Sequence, residues 1–445
     1  MISLFILIVL LIELYLNRNT VDKSFVSPQC LMTISFIPSL VIMIFYEREW
    51  DMQYNIYVIF ALIVAPILVG VVSAFSNRIV FKKIDYRRIK YSSFENIGLW
   101  KYLVLFLFEL ISVVYIWKFV VATVGNVGSI ANTLVAYNYK SGHEYVDAPP
   151  LVNLFRMVTL NLGYFYAVII SYYVKNKKVF HNNKMPIILI NYILSYVVAL
   201  EFGARGTALE LFFASAIIFV MIVFSNGVKI SLRKWGIIIA LVAVGGLGFQ
   251  NIGTLMGRVD NTKFKFLDYI SLYTAAPIKN FSMAVSTDNL YNTGTGISDN
   301  RTFVQIINWI ALKFGPASMY HQQGYPSHYI NGKYIGNVYT AYSDYMCDGG
   351  VVFFVFCILL MAIVACAFYK RSKKVINTDT GIIPLSLVIY SKMGFYILFS
   401  FFANEFYLNV AHIEFFRSII MIWAIRYFLL GFNYSNFSNN RGDIR

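Results

Sequence analysis

Residues 55–76 read NIYVIFALIVAPILVGVVSAFS, a run without any charged side chain. A helix needs about 20 apolar residues to cross the hydrocarbon core of a bilayer, so this run predicts a membrane-spanning helix. Comparable runs recur along the chain and give about eleven predicted spans. They are 2–16, 29–46, 55–76, 100–123, 151–174, 185–201, 207–226, 233–250, 349–369, 381–402 and 411–431. The sequence therefore predicts an all-α integral membrane protein, a polytopic bundle of about 11 transmembrane helices.

The composition excludes an ordinary soluble protein. The 445 residues are 58% hydrophobic and only 13% charged, whereas soluble domains carry roughly 25% charged residues. The lipid bilayer is therefore an expected partner. The net charge of +15 comes mostly from basic residues in short loops between spans, which indicates membrane topology and no nucleic-acid partner. Four cysteines without a CxxC pair favour neither a disulfide framework nor a zinc site.

Lysine and arginine concentrate in alternate loops. These loops lie at 18–23, 78–90, 175–184, 229–234 and 370–374, and the C-terminal tail is basic too. Positively charged loops stay in the cytoplasm, so the amino terminus is expected outside and the carboxyl terminus inside. Residues 1–445 then form a single polytopic membrane domain, with a large external loop at 251–348 between the eighth and ninth spans. The apolar stretch Phe266 to Val285 is expected within this loop, because a span there would move the basic loop 370–374 outside.

Sequence motifs for nucleotide or metal chemistry are absent. There is no Walker loop, no GxGxxG between a strand and a helix, no HExxH and no DxD pair. The chain is therefore not expected to use ATP, a nucleotide sugar or another cofactor. No metal site is expected either, since His321 and His328, which are the nearest histidine pair of the loop, match no ligand spacing.

Ionisable residues within predicted spans need a partner or an aqueous cavity, because a charge in hydrocarbon is costly. Such residues are Glu109, Lys118, Arg156, Lys392, Glu414 and Arg417. Glu414 and Arg417 are three apart on one helical face, which favours a local pair. Lys392 has no partner nearby in sequence, so it predicts an interhelical pair or a cavity.

Arg205 stands between two long apolar runs, in the sequence EFGARGTALE at 201–210. The runs are so close that Arg205 is expected at the outer membrane boundary. The glycines on either side allow a sharp turn that exposes backbone N–H groups and the guanidinium to an anion such as pyrophosphate. An ion pair of Arg205 with Glu201 or Glu210 that closes the turn is an equally good interpretation.

The external loop contains two further arginines, Arg258 and Arg301, and two histidines, His321 and His328. Histidine titrates near neutrality, and a carboxylate such as Asp344 can orient it. Together they could take a proton from an attacking sugar hydroxyl. Histidines that are merely solvated or hydrogen-bonded in a folded aromatic loop are the alternative.

Three short elements are similar to elements of a known family. They are GARG at 203–206 between two spans, the aromatic segment 269–281, and NVYT at 337–340 followed by DGG at 348–350. With one large loop late in the chain, this pattern resembles the Wzy-type O-antigen polymerases, also called oligosaccharide repeat unit polymerases.

The resemblance implies a glycosyltransferase of the bacterial inner membrane. It would join oligosaccharide repeat units carried on undecaprenyl pyrophosphate, at the periplasmic face, with a chain-length regulator protein as an expected partner. Arg205, Arg258 and Arg301 are the pyrophosphate-binding candidates. The catalytic candidates are His321, His328 and Asp344.

Two other functions remain open from the sequence. An O-antigen ligase would use the same donor and transfer the finished glycan to lipid A core. A flippase or transporter of lipid-linked oligosaccharides is a different class, and it often shows repeated halves with broken helices at the bilayer midplane. No such internal duplication is evident in this chain.

Overall fold

The computed structural model describes most of the chain. The described residues are 1–78, 96–125, 127–143, 146, 148–176, 183–202, 205–224, 266–286, 301–315, 327–376 and 383–431. The eighth predicted span, 233–250, lies outside them, as do two predicted site residues, Arg258 and His321.

The described part is helical apart from one short antiparallel hairpin. The first eight helices are α1 Ile2–Thr20, α2 Pro28–Tyr46, α3 Ile56–Arg78, α4 Leu99–Val124, α5 Ile130–His143, α6 Pro150–Lys175, α7 Met185–Glu201 and α8 Arg205–Val223. Then follow α9 Phe266–Thr274, α10 Ala276–Ser286, α11 Val304–Phe314, the strands β1 His328–Ile330 and β2 Lys333–Gly336, α12 Ala341–Ile376, α13 Leu385–Leu398, the 3-10 turn Phe399–Phe401, α14 Glu405–Val410 and α15 Ile413–Leu430.

Seven described helices are long and apolar enough to cross a membrane. They are α1, α2, α3, α4, α6, α8 and α12. By helix length and hydropathy the chain is therefore a multi-pass membrane protein. Three other predicted spans fall on α7, α13 and α15, which are shorter or more highly charged. The number of about eleven spans, and which side of the membrane each loop faces, stay predictions.

The surface of α4 shows why a bilayer is the required solvent. Leu103, Leu107, Ile111 and Val114 are large apolar side chains along this helix, and each is about half exposed or more. A contiguous apolar surface of this kind is unfavourable in water. In a bilayer it contacts lipid chains, as expected of a helix at the edge of a bundle.

Helix α13 lies at the centre of the bundle. Most of its residues are buried on every side of the helix, which is the pattern of a helix surrounded by others. A Cβ added at Gly394 would lie 2.9 Å from Ile217 Cδ1 and 3.1 Å from Leu31 Cδ1. Glycine at this position therefore lets α13 pack closely against α8 and α2.

Helix α12 is broken at Gly349–Gly350. Gly350 has φ 66° and ψ −160°, a backbone conformation that side chains with a Cβ disfavour. The part of α12 from residue 351 coincides with the predicted span 349–369. Ahead of the break, the chain is already helical from Ala341, where the polar sequence gave no span.

Two sets of polar contacts join distant segments at opposite ends of the helices. The first set joins Tyr46 to Asp268, at 2.7 Å between hydroxyl and carboxylate, and Lys279 to the carbonyl of Asp51. We call this side the arginine end; its described residues are 47–55, 202, 205–207, 266–286, 301–315, 327–348 and 402–414.

The second set lies where the same helices have their other termini. Lys373 pairs with Asp22 at 2.8 Å, and Lys184 donates to the carbonyl of Ile97. Lys101 donates to two carbonyls at the end of α15. These segments belong to the loops that the sequence predicts to be cytoplasmic, and the arginine end gathers the segments that it predicts to lie outside.

The stretch Phe266 to Val285 forms two short helices at the arginine end. They contain 9 and 11 residues, and each is too short to cross the hydrocarbon core. The hydroxyl of Ser282 in α10 donates to the carbonyl of Gln53. Both helices therefore pack at the arginine end of the bundle, and their location outside the membrane stays a prediction.

Candidate functional site

Arg205 is the first residue of α8, and its side chain is buried, at 5% exposed. Its Nη1 donates to the hydroxyl of Tyr269 at 2.5 Å, and its Nη2 donates to the hydroxyl of Tyr273 at 3.3 Å. Both tyrosines come from α9, one turn apart, so their hydroxyls meet the planar guanidinium side by side. Arg205 thus fixes the outer helix α9 to the start of α8.

Glu210, one of the two carboxylates proposed as a partner of Arg205, contacts other residues in the described part of the chain. Glu210 lies one turn further along α8 and pairs with Lys392 of α13, at 2.8 Å. The hydroxyl of Tyr164 donates to the same carboxylate at 2.8 Å. The prediction that Lys392 makes an interhelical pair is therefore confirmed, and Glu210 is its partner.

Tyr269 keeps its proton at physiological pH. Burial raises the pKa of Tyr269 to about 12, against the opposing effect of the hydrogen bond from Arg205. A phenol oxygen that accepts a hydrogen bond from arginine still has its own O–H to donate. Arg205, Tyr269 and Tyr273 therefore place one positive charge and two phenol hydroxyl groups together at the start of α8.

Arg301 lies at the same end, directly before α11. The backbone N–H groups of Arg301 and Thr302 both donate to the carboxylate of Asp348, at 3.0 and 2.7 Å. This double contact fixes the start of α11 to the part of α12 that precedes the glycine break. The Arg301 charge also acts on Tyr339, where it opposes the effect of burial, which raises the pKa of that phenol to about 12.

Aromatic and amide contacts connect the surroundings of the two arginines. The ring of Tyr273 stacks on Phe402, with centroids 5.9 Å apart. Two residues later, the Asn404 side chain donates to the carbonyl of Thr302 at 3.2 Å. Arg205 and Arg301, which are far apart in sequence, are therefore held at one end of the bundle by a shared scaffold.

His328 is placed near Arg301 through Tyr339. Its Nε2 lies 2.6 Å from the Tyr339 hydroxyl, and burial lowers the pKa of the imidazole. His328 is thus mainly neutral at pH 7 and able to accept a proton.

The structure describes no hydrogen bond or ion pair between Asp344 and His328, and the role of Asp344 in orienting a histidine stays a prediction. Asp344 is buried in the first turn of α12, at 2% exposed, while the described ring nitrogen contact of His328 is to Tyr339. Asp344 lies within this helix because α12 begins at Ala341, ahead of the predicted span. His321 and Arg258 lie outside the described residues.

Arg156 of α6 also reaches the arginine end, and the sequence assigned it no role. Its Nη2 lies 3.2 Å from the hydroxyl of Thr207, and its guanidinium lies 4.5 Å from the centre of the Phe202 ring. In the sequence, two features of Arg156 point to a functional or structural role. It is a charged residue within a predicted span, and no carboxylate lies three or four residues away. Such a charge has to find its partner in another helix.

Over the described ranges, no group of three or more histidine, cysteine or acidic side chains is placed to hold a metal ion. The described side chains at the arginine end include guanidinium groups, tyrosine hydroxyls and the imidazoles of His328 and His412.

No protein-family model, curated protein or solved structure matches this chain. The likeness to the O-antigen polymerases rests on the sequence elements and the loop arrangement alone.

Proposed function

We propose that the chain is a glycosyltransferase that polymerises oligosaccharide repeat units carried on undecaprenyl pyrophosphate. It would act at the outer face of the bacterial inner membrane, with the arginine end facing the periplasm. The product would be O-antigen or a related surface polysaccharide. This proposal combines the resemblance of the three sequence elements with the placement of the candidate residues.

The observation that carries the proposal is the gathering of Arg205 and Arg301 at one end of an apolar bundle. Transfer of a glycan from a lipid pyrophosphate leaves charge on the departing pyrophosphate, and fixed cations stabilise that charge as it develops. A lipid-linked donor needs this charge at headgroup depth, where the first residue of α8 is expected. Tyr273 and Phe402 add aromatic rings beside it, and such rings commonly stack on sugars.

The reaction requires one bond exchange. The anomeric carbon of the growing glycan loses its bond to the pyrophosphate oxygen and gains a bond to a hydroxyl oxygen of the incoming unit. The hydroxyl proton passes to a base, and neutral His328 is the described histidine with the chemistry for this step. Arg205 would receive the leaving pyrophosphate and stabilise its charge through its guanidinium.

The direct test is gel analysis of surface polysaccharide from a strain that lacks the gene, with and without the wild-type copy. Polymerase function predicts loss of the ladder and retention of a single-repeat band, because flipping and ligation continue. If the deletion also removes the single-repeat band while lipid-linked units accumulate, the proposal is wrong. Units that accumulate outside would then favour a ligase, and units that accumulate inside a flippase.

A further inference from the structure

The start of α8 is approached by a second arginine that the proposed mechanism does not use. Arg156 donates from Nη2 to the hydroxyl of Thr207, in the first turn of this helix. Its Nε is buried and has no hydrogen-bond partner among the described residues. A buried guanidinium with an unsatisfied N–H is costly, which makes Arg156 a position where an anion would be stabilised.

Two carboxylates that act on the charge of Arg156 form ion pairs with other residues. Glu210 and Glu414 both act on the charge of Arg156. Glu210, however, pairs with Lys392, and Glu414 pairs with Arg417 on its own helix. Within the described part of the chain, neither carboxylate forms an ion pair with Arg156, although both act on its charge from further away.

The first turn of α8 offers both space and donors. A Cβ added at Gly206 would meet no heavy atom within 4 Å apart from its two chain neighbours and the backbone of its own helix, and Gly206 is exposed. Helix α8 has 19 residues, and the N–H groups of its first turn point away from the helix without intrahelical partners. The open side of Gly206 therefore lies where the helix dipole, these N–H groups and the Arg156 guanidinium favour an anion.

We propose that Arg156 and the first turn of α8 at Gly206 and Thr207 bind a phosphate group of a pyrophosphate ligand. This inference deepens the proposed function and rests on it for the expectation that the pyrophosphate is attached to a membrane lipid. Arg205 and Arg156 would then both lie beside the pyrophosphate at the start of α8. The same chemistry accepts free inorganic pyrophosphate, so the source of the phosphate is a separate question for the experiment.

The test uses the purified full-length protein in lipid nanodiscs and measures binding of undecaprenyl pyrophosphate and of inorganic pyrophosphate. Arg156→Gln is expected to weaken binding at least about tenfold, because a charge-assisted hydrogen bond is lost. Lys333→Gln is the matched control, since it removes an exposed positive charge at the same end. Tighter binding of the lipid than of inorganic pyrophosphate would identify the lipid as the source, and equal binding would identify the anion alone.

A second variant distinguishes loss of the binding site from misfolding of the Arg156→Gln protein. Gly206→Leu fills the open side of the first turn and leaves Arg156 intact, and it is expected to weaken binding to a similar degree. Wild-type affinity in Gly206→Leu, or in a folded Arg156→Gln, would overturn the inference. Binding is measured without glycan transfer, so loss of binding in these variants supports the site even if the deletion strain disproves the polymerase proposal.

Discussion

The carboxylate of Glu210 and the ammonium of Lys392 lie 2.8 Å apart and join α8 to the central helix α13. Both side chains are largely buried, and the Tyr164 hydroxyl donates a second contact to the same carboxylate. The pair fixes α8 about one turn after Arg205. The Glu210 carboxylate, which the sequence offered as a partner for Arg205, is paired with Lys392 instead. The position and the charge of the proposed anion site therefore both depend on this pair.

Breaking this pair on one side is expected to be more damaging than removing it entirely. Glu210→Gln or Lys392→Met should each lower the free energy of unfolding by about 3 kcal/mol, because the remaining charge is buried without its partner. The double variant should lose less than the sum of the two. Thermal unfolding of the four proteins in the same detergent measures this. Strict additivity would show that the two residues do not act as a pair.

Arg205→Lys is expected to abolish most polymer formation while the protein still inserts into the membrane. A lysine ammonium lacks the planar fork that meets both tyrosine hydroxyls. Tyr269→Phe should reduce the rate about tenfold, since it removes one hydrogen bond to a charged group. Tyr329→Phe in the exposed hairpin is the control and should be silent. The measurement is the polysaccharide ladder on a gel, with all variants expressed in the membrane at the same level. A full ladder from Arg205→Lys would show that Arg205 has no essential role in the reaction.

The pH dependence of glycan transfer should report His328. Burial lowers the pKa of His328, so the imidazole stays neutral until the pH falls below the ordinary histidine value of about 6.5. A base is active when neutral, so the rate should be constant near pH 7 and fall only in more acidic solution. His328→Gln should lower the rate and remove this acidic decline. A decline of the same shape in the variant would assign it to another group.

Asp348 is expected to position Arg301. Asp348→Asn keeps the size of the side chain but weakens its two contacts to the backbone of residues 301 and 302, each worth about 1.5–3 kcal/mol when the acceptor is charged. The segment before α11 should become more accessible, and transfer should slow. Limited proteolysis with mass spectrometry locates the cleavage. Unchanged cleavage at this segment would show that Asp348 does not hold it.

The sequence predicted those features that depend on local composition. Apolar runs identified the long helices because hydrocarbon imposes a minimum length on each span. The basic loops grouped the segments that the structure brings together at each end, as in the pair of Asp22 with Lys373. Lys392 was recognised as a residue in need of a distant partner because nothing near it in sequence could neutralise it.

Features that depend on packing between distant segments were not predictable. The partners of Arg205 are tyrosines of a different segment, whose approach is set by tertiary contacts. Asp344 was expected in a loop with the histidines. A scan for apolar runs cannot recognise that the polar residues between Ala341 and the glycine break are helical. The contact of Arg156 with Thr207 likewise arises only when α6 packs against α8.

The most direct test of the central claim is polymerisation by the purified protein in proteoliposomes that contain undecaprenyl-pyrophosphate-linked repeat units. The account predicts that the wild-type protein extends the glycan and releases one undecaprenyl pyrophosphate for each bond formed, without nucleotide or added metal. Arg205→Lys should reduce both products together. If wild-type protein that binds the lipid-linked unit forms no longer glycan and releases no pyrophosphate lipid, the claim that this chain is a polymerase is contradicted.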